Sequence, residues 1–384
     1  MMIRRVTMSS IVFSFAVLAA SALATYAEPM VVAYVFPQNS ALQPGQIDGH
    51  RLTRINYAFA NIKDGRMVTG FANDAGNFAV VGALRKENPS LTVLVSVGGW
   101  LWSGNFSDVS LTEKSRAHFI DSAIEFLKLY DLDGLDIDWE YPGLVGVGNK
   151  FRSDDKHNFT LLLQDLRARF DKETKANGKS LYLTIAAGSS EEYLAHTEMK
   201  KVEQYVDTVN LMAYDYYEPG SGPITGHHAP LFANSADPAK ASADASVQAF
   251  ERAGVPAAKI LLGVPFYGHE WGDVADTAHG LYQRGKQIPN AYAPFGVIES
   301  KMLNHGFTRY WDSIASVPYL YNADKRIFVS YEDEQSLAAK CKYVLDHNLG
   351  GVMFWEYSGD PSGKLLQAIH SSLFRTHSAD NARQ

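Results

Sequence analysis

Cysteine is almost absent from this sequence, and no residues in it stand at metal-ligand spacing. Cys341 is the single cysteine among 384 residues, so an exported chain would have no internal disulfide and would rely on its core for stability. Leu337 and Val344 share a helical face with Cys341, which predicts a small buried residue rather than a nucleophile. The pair His227-His228 is better explained by a loop than by a metal site. We therefore expect no metal and no cofactor.

Long apolar runs and basic clusters are also missing from most of the chain. After residue 27, no stretch is both long and apolar enough to cross a bilayer. The formal net charge is −7, and a chain of this charge without a basic run is not expected to bind nucleic acid or anionic membranes. A neutral or cationic substrate is compatible with this charge.

The first 27 residues differ from the rest. Arg4 and Arg5 precede an apolar run over residues 11–23, and small residues follow, among them Ala24 and Ala27. This order is typical of a secretory signal peptide, and the apolar run is short for a membrane anchor. We expect cleavage after Ala27, with Ala24 as the alternative. The mature protein should then be secreted, to the periplasm or the medium, and free of membranes.

Short apolar runs alternate with segments of helical periodicity from residue 31 onward. Eight runs rich in Val, Ile, Leu and aromatic residues are predicted strands: Val31–Phe36, Ile55–Ala60, Leu91–Val97, Gly134–Trp139, Leu181–Ala187, Thr208–Tyr214, Ile260–Pro265 and Gly351–Trp355. Strands that alternate with helices predict parallel βαβ units, and eight such units predict a closed (β/α)8 TIM barrel. An open doubly wound sheet would need a glycine-rich turn after the first strand, and residues 31–39 contain none.

The chain is longer than the roughly 250 residues of such a barrel. The surplus lies mainly between His269 and Phe328, where the alternation gives way to Gly, Pro, Asn and aromatic residues. We predict a small α+β insertion domain over residues 269–328, after the seventh strand. The catalytic barrel then comprises residues 28–268 and 329–375, and residues 376–384 form a flexible tail.

Three acidic residues stand two apart in the segment DLDGLDIDWEYP, residues 131–142. Because alternate side chains of a strand point the same way, Asp136, Asp138 and Glu140 share one face. In a barrel that face is the interior, with Glu140 at the C-terminal mouth where active sites lie. Like charges about 7 Å apart in a partly desolvated interior raise at least one pKa, so a carboxyl can stay protonated as a general acid requires. An acidic strand end that binds a cation is the alternative, which three acids in register do not favour.

The same segment resembles the signature of the family 18 glycoside hydrolases, the chitinase family, over residues 133–140 (DGLDIDWE). Residues 96–99 (SVGG) resemble the family's SxGG motif, and residues 212–215 (MAYD) resemble its MxYD motif. The loop over residues 226–231 and Trp355 on the eighth strand also match, and the insertion after Gly268 resembles the chitinase insertion domain. His269 departs from the pattern, because members with this insertion often carry Arg there, and this leaves one sugar contact in doubt.

The resemblance implies an enzyme that hydrolyses β-1,4-linked N-acetylglucosamine polymers with retention. It also implies a substrate-assisted mechanism, in which the acetamido oxygen of the sugar attacks the anomeric carbon to form an oxazolinium ion. In these roles Glu140 is the acid and base, Asp138 orients the acetamido group, and Asp136 shares a proton with Asp138. Tyr214 donates its hydroxyl to the acetamido oxygen, and Asp215 binds the sugar.

The predicted substrate-binding residues are mostly aromatic, because pyranose faces stack on rings. They are Tyr34, Phe59, Ser96, Gly99, Trp100, Tyr141, Met212, Tyr267 and Trp355. Tyr34 and Ser96 are expected to hydrogen-bond the buried acids. From position alone, Tyr214 and Trp355 are equally explained by barrel packing. Further aromatic residues follow strand ends and are candidates for the cleft, namely Trp102, Tyr216 and Trp271.

Two other functions remain open at this point. A chitin-binding lectin would use the same cleft without hydrolysis, although such relatives usually lose the terminal acid and Glu140 is present. An endo-β-N-acetylglucosaminidase acting on glycoprotein glycans would share the row of acids. The expected partner is chitin or an N-acetylglucosamine oligosaccharide, and we expect a monomer.

Overall fold

The computed structural model describes residues 28–374. The predicted signal peptide, residues 1–27, and the predicted tail, residues 376–384, lie outside these residues. Within the described range, no helix combines the length and apolar character that a membrane crossing requires.

Fourteen strands occur in this range, and eight of them form a closed parallel barrel. In chain order the strands are β1 (Met30–Val35), β2 (Arg54–Lys63), β3 (Arg66–Thr69), β4 (Thr92–Gly98), β5 (Gly134–Asp138), β6 (Tyr182–Gly188), β7 (Thr208–Met212), β8 (Ile260–Pro265), β9 (Tyr267–Gly272), β10 (Lys286–Pro294), β11 (Thr308–Asp312), β12 (Val317–Asn322), β13 (Ile327–Ser330) and β14 (Gly351–Trp355). The barrel runs β1-β2-β4-β5-β6-β7-β8-β14, and β14 pairs with β1 to close it. The predicted (β/α)8 barrel is confirmed.

Helices cover the outside of the barrel. They are α1 (Asp74–Ala83), α2 (Phe106–Val109), α3 (Glu113–Leu129), α4 (Asp155–Asn177), α5 (Glu191–Ala195), α6 (Met199–Val202), α7 (Ala243–Arg252), α9 (Glu334–Asp346) and α10 (Lys364–Phe374). A further helix, α8 (Phe295–Lys301), packs against β9 and β10 instead. Leu135 and Ile137 of β5 are fully buried in the same apolar cluster as Phe119 of α3 and Leu162 of α4. This cluster takes the outward face of β5, so the acids of the strand are left on the inward face.

A second sheet follows β8. It is antiparallel and has the order β10-β9-β13-β12-β11, and α8 lies between two of its strands in the chain. The sheet begins at Tyr267 and ends at Ser330, so the predicted insertion boundaries at residues 269 and 328 fall inside its first and last strands along the chain. The division into a catalytic barrel and an insertion domain at residues 269–328 stays a prediction.

A buried ion pair links α9 to the loop after β7. Lys340 is fully buried beside Glu332, which is 1% exposed, and the two side chains form a salt bridge. The Lys340 Nζ also donates a hydrogen bond of 2.7 Å to the carbonyl oxygen of Ala229. Since charges buried this deeply are costly unless paired, Lys340 holds both the strand end and the loop in place.

Removing the ammonium should destabilise the fold, because Glu332 would be left as an unpaired buried charge. We expect Lys340→Ala to lower the free energy of unfolding by about 3–5 kcal/mol, measured by urea denaturation. Lys342→Ala is the control, because Lys342 lies on the same helix but is exposed and pairs with Asp346. This variant should change the free energy of unfolding by less than about 0.5 kcal/mol. Equal losses of unfolding free energy in Lys340→Ala and Lys342→Ala would contradict the stabilising role of the buried ion pair.

Candidate active site

The C-terminal end of β5 carries the three acids into the barrel. Asp136 is fully buried and Asp138 is 3% exposed, while Glu140 follows the strand and lines an open cleft at the mouth. The Ser103 hydroxyl fixes the position of this strand end. It accepts a hydrogen bond from the Glu140 N–H at 2.9 Å and donates one to the Asp138 carbonyl oxygen at 3.0 Å. The row of acids therefore points inward and ends at the cleft.

Asp136 is held by four donors from four strands. One carboxylate oxygen accepts from the hydroxyls of Tyr34 and Ser96, both at 2.8 Å, as expected from the sequence. The other accepts from Thr184 at 2.5 Å and from the Asn210 amide at 3.0 Å, which were not anticipated. Thr184 and Asn210 are polar residues inside the apolar strands β6 and β7, and that position is the signal that could have found them.

The hydrogen bonds of Asp136 oppose the effect of its burial. Burial raises the pKa of Asp136, while donation from Thr184, Ser96 and Tyr34 lowers it. Among the described side chains, no hydrogen bond joins the Asp136 and Asp138 carboxyls, since both Asp136 oxygens are already engaged. The shared proton stays a prediction.

Asp138 is the least satisfied of the three acids. Its Oδ1 is buried and has no hydrogen-bond partner within residues 28–374, although the residue lines the cleft. Burial raises its pKa well above the usual value, and the charges of Glu140 and Asp136 raise it further. An orphaned buried acceptor beside a cleft is suited to receive a donor from a bound ligand.

Glu140 has the protonation expected of a general acid. Burial raises its pKa to about 7, the charges of Asp215 and Glu218 add to the shift, and Tyr141 opposes it. At neutral pH this carboxyl therefore holds a proton for much of the time.

An aromatic cleft of about 890 Å³ opens above Asp138 and Glu140. Of the predicted residues it is lined by Tyr34, Phe59, Trp100, Trp102, Tyr141, Met212, Tyr214, Asp215, Tyr216, Tyr267 and Trp355. Trp355 stacks on Phe59 with ring centroids 5.5 Å apart. These rings form an extended apolar surface next to two carboxyls.

Besides Asp136, three of the predicted residues do not line this cleft. Ser96 lies beneath it, on Asp136. Gly99 has a φ of +75° and, because a Cβ there would come within 2.6 Å of the Phe59 ring, its lack of a side chain lets that ring approach. Trp271 is fully buried among aromatic residues of the second sheet, so its position after a strand end was misleading. The roles of Ser96 and Gly99 in binding substrate stay predictions.

The second sheet adds a wall to the cleft. Tyr292 of β10 lines the cleft and stacks on Tyr267 with ring centroids 4.6 Å apart. Glu218, from the loop after β7, and Glu192, from α5 after β6, also line the cleft. No periodic signal marks such residues, because only the folded chain brings these segments and the insertion to the mouth.

Asp215 lies on the loop after β7 and is surrounded by donors. The Tyr267 hydroxyl donates to its Oδ1 at 2.7 Å, and His269 Nε2 lies 2.8 Å from the same oxygen. His269 therefore occupies the place of the usual Arg and contacts an acid of the MxYD motif. Burial opposes the shift, but the neighbouring His228 and His269 hold the pKa of Asp215 well below its usual value.

Comparison with known proteins places this geometry in a family. The family model "Glycosyl hydrolases family 18" matches residues 30–360, which contain both sheets and the whole cleft. The chain belongs to glycosyl hydrolase family 18. The resemblance stated from the sequence motifs is thereby confirmed.

Several relatives of this family 18 chain are close in sequence or structure. Chitinase A1 of Niallia circulans is 38% identical over 391 residues, which cover 85% of this chain and 55% of that protein. The crystal structure of chitinase ChiW from Paenibacillus sp. is 38% identical with a TM-score of 0.85, covering 90% of this chain and 33% of that one. A family 18 N-acetylglucosaminidase from Paenibacillus barengoltzii is 40% identical with a TM-score of 0.82, covering 90% of this chain and 99% of that one. The chain thus spans about half the length of the first relative and a third of the second.

The titration of Glu140 can be measured directly in this family 18 chain. We expect an infrared band of a protonated carboxyl that disappears as the pH rises through about 7 and is missing from Glu140→Gln. Glu218→Gln removes a nearby negative charge and so lowers the pKa of Glu140, and the band should therefore disappear at a lower pH. A band that Glu140→Gln leaves intact at every pH would contradict the raised pKa.

Proposed function

We propose that this chain is an exported, monomeric chitinase that hydrolyses β-1,4-linked N-acetylglucosamine polymers with retention of configuration. The observation that carries the proposal is the pair of acids at the cleft floor. Asp138 has a buried oxygen with no hydrogen-bond partner in the described part of the chain, and Glu140 has a raised pKa. A substrate-assisted reaction needs these two properties, an acceptor for the acetamido N–H and a proton donor for the leaving oxygen. The names of the relatives agree with this substrate.

In the first step Glu140 transfers its proton to the glycosidic oxygen. The bond from that oxygen to the anomeric carbon breaks, and the acetamido carbonyl oxygen of the same sugar bonds to the anomeric carbon. The products are an oxazolinium ion, the released sugar with the protonated oxygen as its free hydroxyl, and a Glu140 carboxylate. No protein carboxylate serves as the nucleophile, in contrast to most retaining glycosidases.

Asp138 acts on the acetamido group during this step. Its free Oδ1 accepts the acetamido N–H, which aims the carbonyl oxygen at the anomeric carbon and stabilises the positive ring that forms. Tyr214 lines the same part of the cleft and donates its hydroxyl to the acetamido oxygen. Asp136, fastened by four donors, keeps negative charge behind Asp138 and so favours the cationic intermediate.

In the second step the Glu140 carboxylate takes a proton from water as the water oxygen attacks the anomeric carbon. The oxazolinium ring opens, the acetamido group is restored, and Glu140 is protonated again. Attack from the face that the leaving group occupied restores the β configuration. Trp355 and Phe59 hold the sugar ring by stacking, and Asp215 with Tyr267 binds its polar edge.

A second candidate is the removal of single N-acetylglucosamine units, because the relative of nearly equal length is an N-acetylglucosaminidase. The length of the products distinguishes the two. Mass spectrometry of products from long chitin oligomers shows dimers and trimers for a chitinase and only monosaccharide for an N-acetylglucosaminidase. Release of glycans from a high-mannose glycoprotein would instead favour an endo-β-N-acetylglucosaminidase.

Loss of the general acid should stop hydrolysis but leave the cleft intact. We expect Glu140→Gln to lower kcat on chitin oligomers by at least about 100-fold, with the dissociation constant changed only a few-fold, measured by product release and calorimetry. Glu125→Gln, on the exposed outer face of α3, is the control and should retain turnover. Near-normal turnover of Glu140→Gln rules out this acid, and binding of chitin without hydrolysis by the unaltered chain supports a lectin.

The stereochemistry of the product tests the participation of the acetamido group. We expect the β anomer at the earliest times, because two displacements at the anomeric carbon restore the configuration. NMR spectra recorded within the first minutes of hydrolysis separate it from the α anomer before mutarotation. Early formation of the α anomer would contradict the oxazolinium route while leaving hydrolysis itself established.

A further inference from the structure

Asp215, His228 and His269 form a cluster of which the proposed mechanism uses only Asp215. One ligand atom from each residue lies within 4.8 Å of the other two. We propose that this cluster binds a divalent transition-metal ion of the zinc, copper or nickel class, and that the bound ion inhibits hydrolysis. The inhibition rests on the proposed function, whereas binding of the ion does not.

The distances from Asp215 to the two histidines are close to those around a small ion. Ligands of a tetrahedral zinc ion at about 2.0–2.1 Å lie about 3.3 Å from one another. His228 Nδ1 is 3.5 Å from Asp215 Oδ1, and His269 Nε2 is 2.8 Å from the same oxygen. The His269 ring therefore has to move by about 0.5 Å, by that same ligand geometry, and it would lose its hydrogen bond to Asp215. Two imidazoles and a carboxylate select transition metals over calcium or magnesium.

The unsatisfied ring nitrogens of His228 are a second, independent observation that indicates a ligand site. Its ring is fully buried, yet neither ring nitrogen has a hydrogen-bond partner within residues 28–374. Buried polar atoms are normally satisfied, and the approach of Nδ1 to Asp215 is at the limit of a hydrogen bond. A metal ion bound at Nδ1 would satisfy this nitrogen.

The backbone holds the two histidines in fixed relation. His269 lies on β9 opposite Ser330 of β13, and the Ser330 hydroxyl accepts the His228 backbone N–H at 2.8 Å. The two imidazole rings lie with centroids 5.0 Å apart. One strand residue thus positions both ligands, so little ordering is required when an ion binds.

The cluster has one open side. Asp215 and His269 line the cleft, whereas His228 lies behind them. A fourth ligand, water or a sugar hydroxyl, can enter from the cleft, as in zinc sites with an open position. Glu218 also lines the cleft and interacts electrostatically with Asp215 and His269, which adds negative charge near the ion.

An ion bound here would interfere with the proposed reaction. It would occupy the Asp215 oxygen that now accepts from Tyr267, and Asp215 would then be withdrawn from the sugar. Its positive charge would also oppose the cationic intermediate at the cleft floor. Inhibition should therefore follow the occupancy of the site.

The test uses the full chain without a histidine tag, titrated with Zn²⁺ by calorimetry and with Co²⁺ by visible absorption. We expect one ion per chain, a Co²⁺ spectrum of a four-coordinate site, and loss of chitin-oligomer hydrolysis in step with occupancy. His269→Gln can still donate to Asp215 but is a poor metal ligand, so affinity should fall at least about tenfold. Asp215→Asn should weaken binding in the same way.

The matched control is His279→Gln. His279 is exposed and its Nδ1 lies 3.5 Å from the Asp276 carboxylate, so it represents an ordinary surface histidine beside an acid, and its loss should leave affinity unchanged. The site is overturned if the unaltered chain takes up no stoichiometric ion, if His269→Gln binds as tightly, or if His279→Gln removes binding. Stoichiometric binding without inhibition overturns the inhibitory role. If the chain binds the ion but hydrolyses no chitin oligomer when the ion is absent, the proposed function is contradicted and the proposed metal site is still supported.

Discussion

The site depends on the burial of one carboxylate, Asp136, inside the barrel. A charge in this position is tolerated only if donors surround it, and four strands each supply one. All four donors bind Asp136, and within residues 28–374 none is left for the next acid along the strand, Asp138, whose Oδ1 has no hydrogen-bond partner beside the cleft. The charge of Asp136 adds to the raised pKa of Asp138, whereas the pKa of Glu140 depends on its own burial and on the charges of Asp215 and Glu218.

The second sheet extends this arrangement beyond the barrel. Tyr267, His269 and Tyr292 reach the cleft from β9 and β10, and two of them contact Asp215. Two hydrogen bonds hold the loop that carries His228. The Lys340 ammonium donates to the Ala229 carbonyl oxygen, and the Ser330 hydroxyl accepts from the His228 backbone N–H. One wall of the cleft is thus built on the barrel and the other on the insertion. The acid of the MxYD motif lies where the two meet.

Much of the fold followed from periodicity, and the limits of that signal are visible in particular residues. All eight predicted barrel strands were found, because a strand buried on both faces is a continuous apolar run. The Thr208–Tyr214 prediction was too long by two residues, since β7 ends at Met212 and Tyr214 belongs to the following loop. Trp271 was placed among the cleft candidates, but it packs in the second sheet, whose pairing of distant strands leaves no local pattern.

The sequence alone determined the inward row of Asp136, Asp138 and Glu140, because alternation along one strand is a local property of the backbone. It also determined the family, through motifs that are contiguous in the chain. Only the tertiary structure decided that Thr184 and Asn210 complete the shell of Asp136, that Tyr292 lines the cleft, and that His228 and His269 meet at Asp215. Those contacts join residues far apart in the chain, and their geometry exists only once the barrel has closed and the insertion has folded beside it.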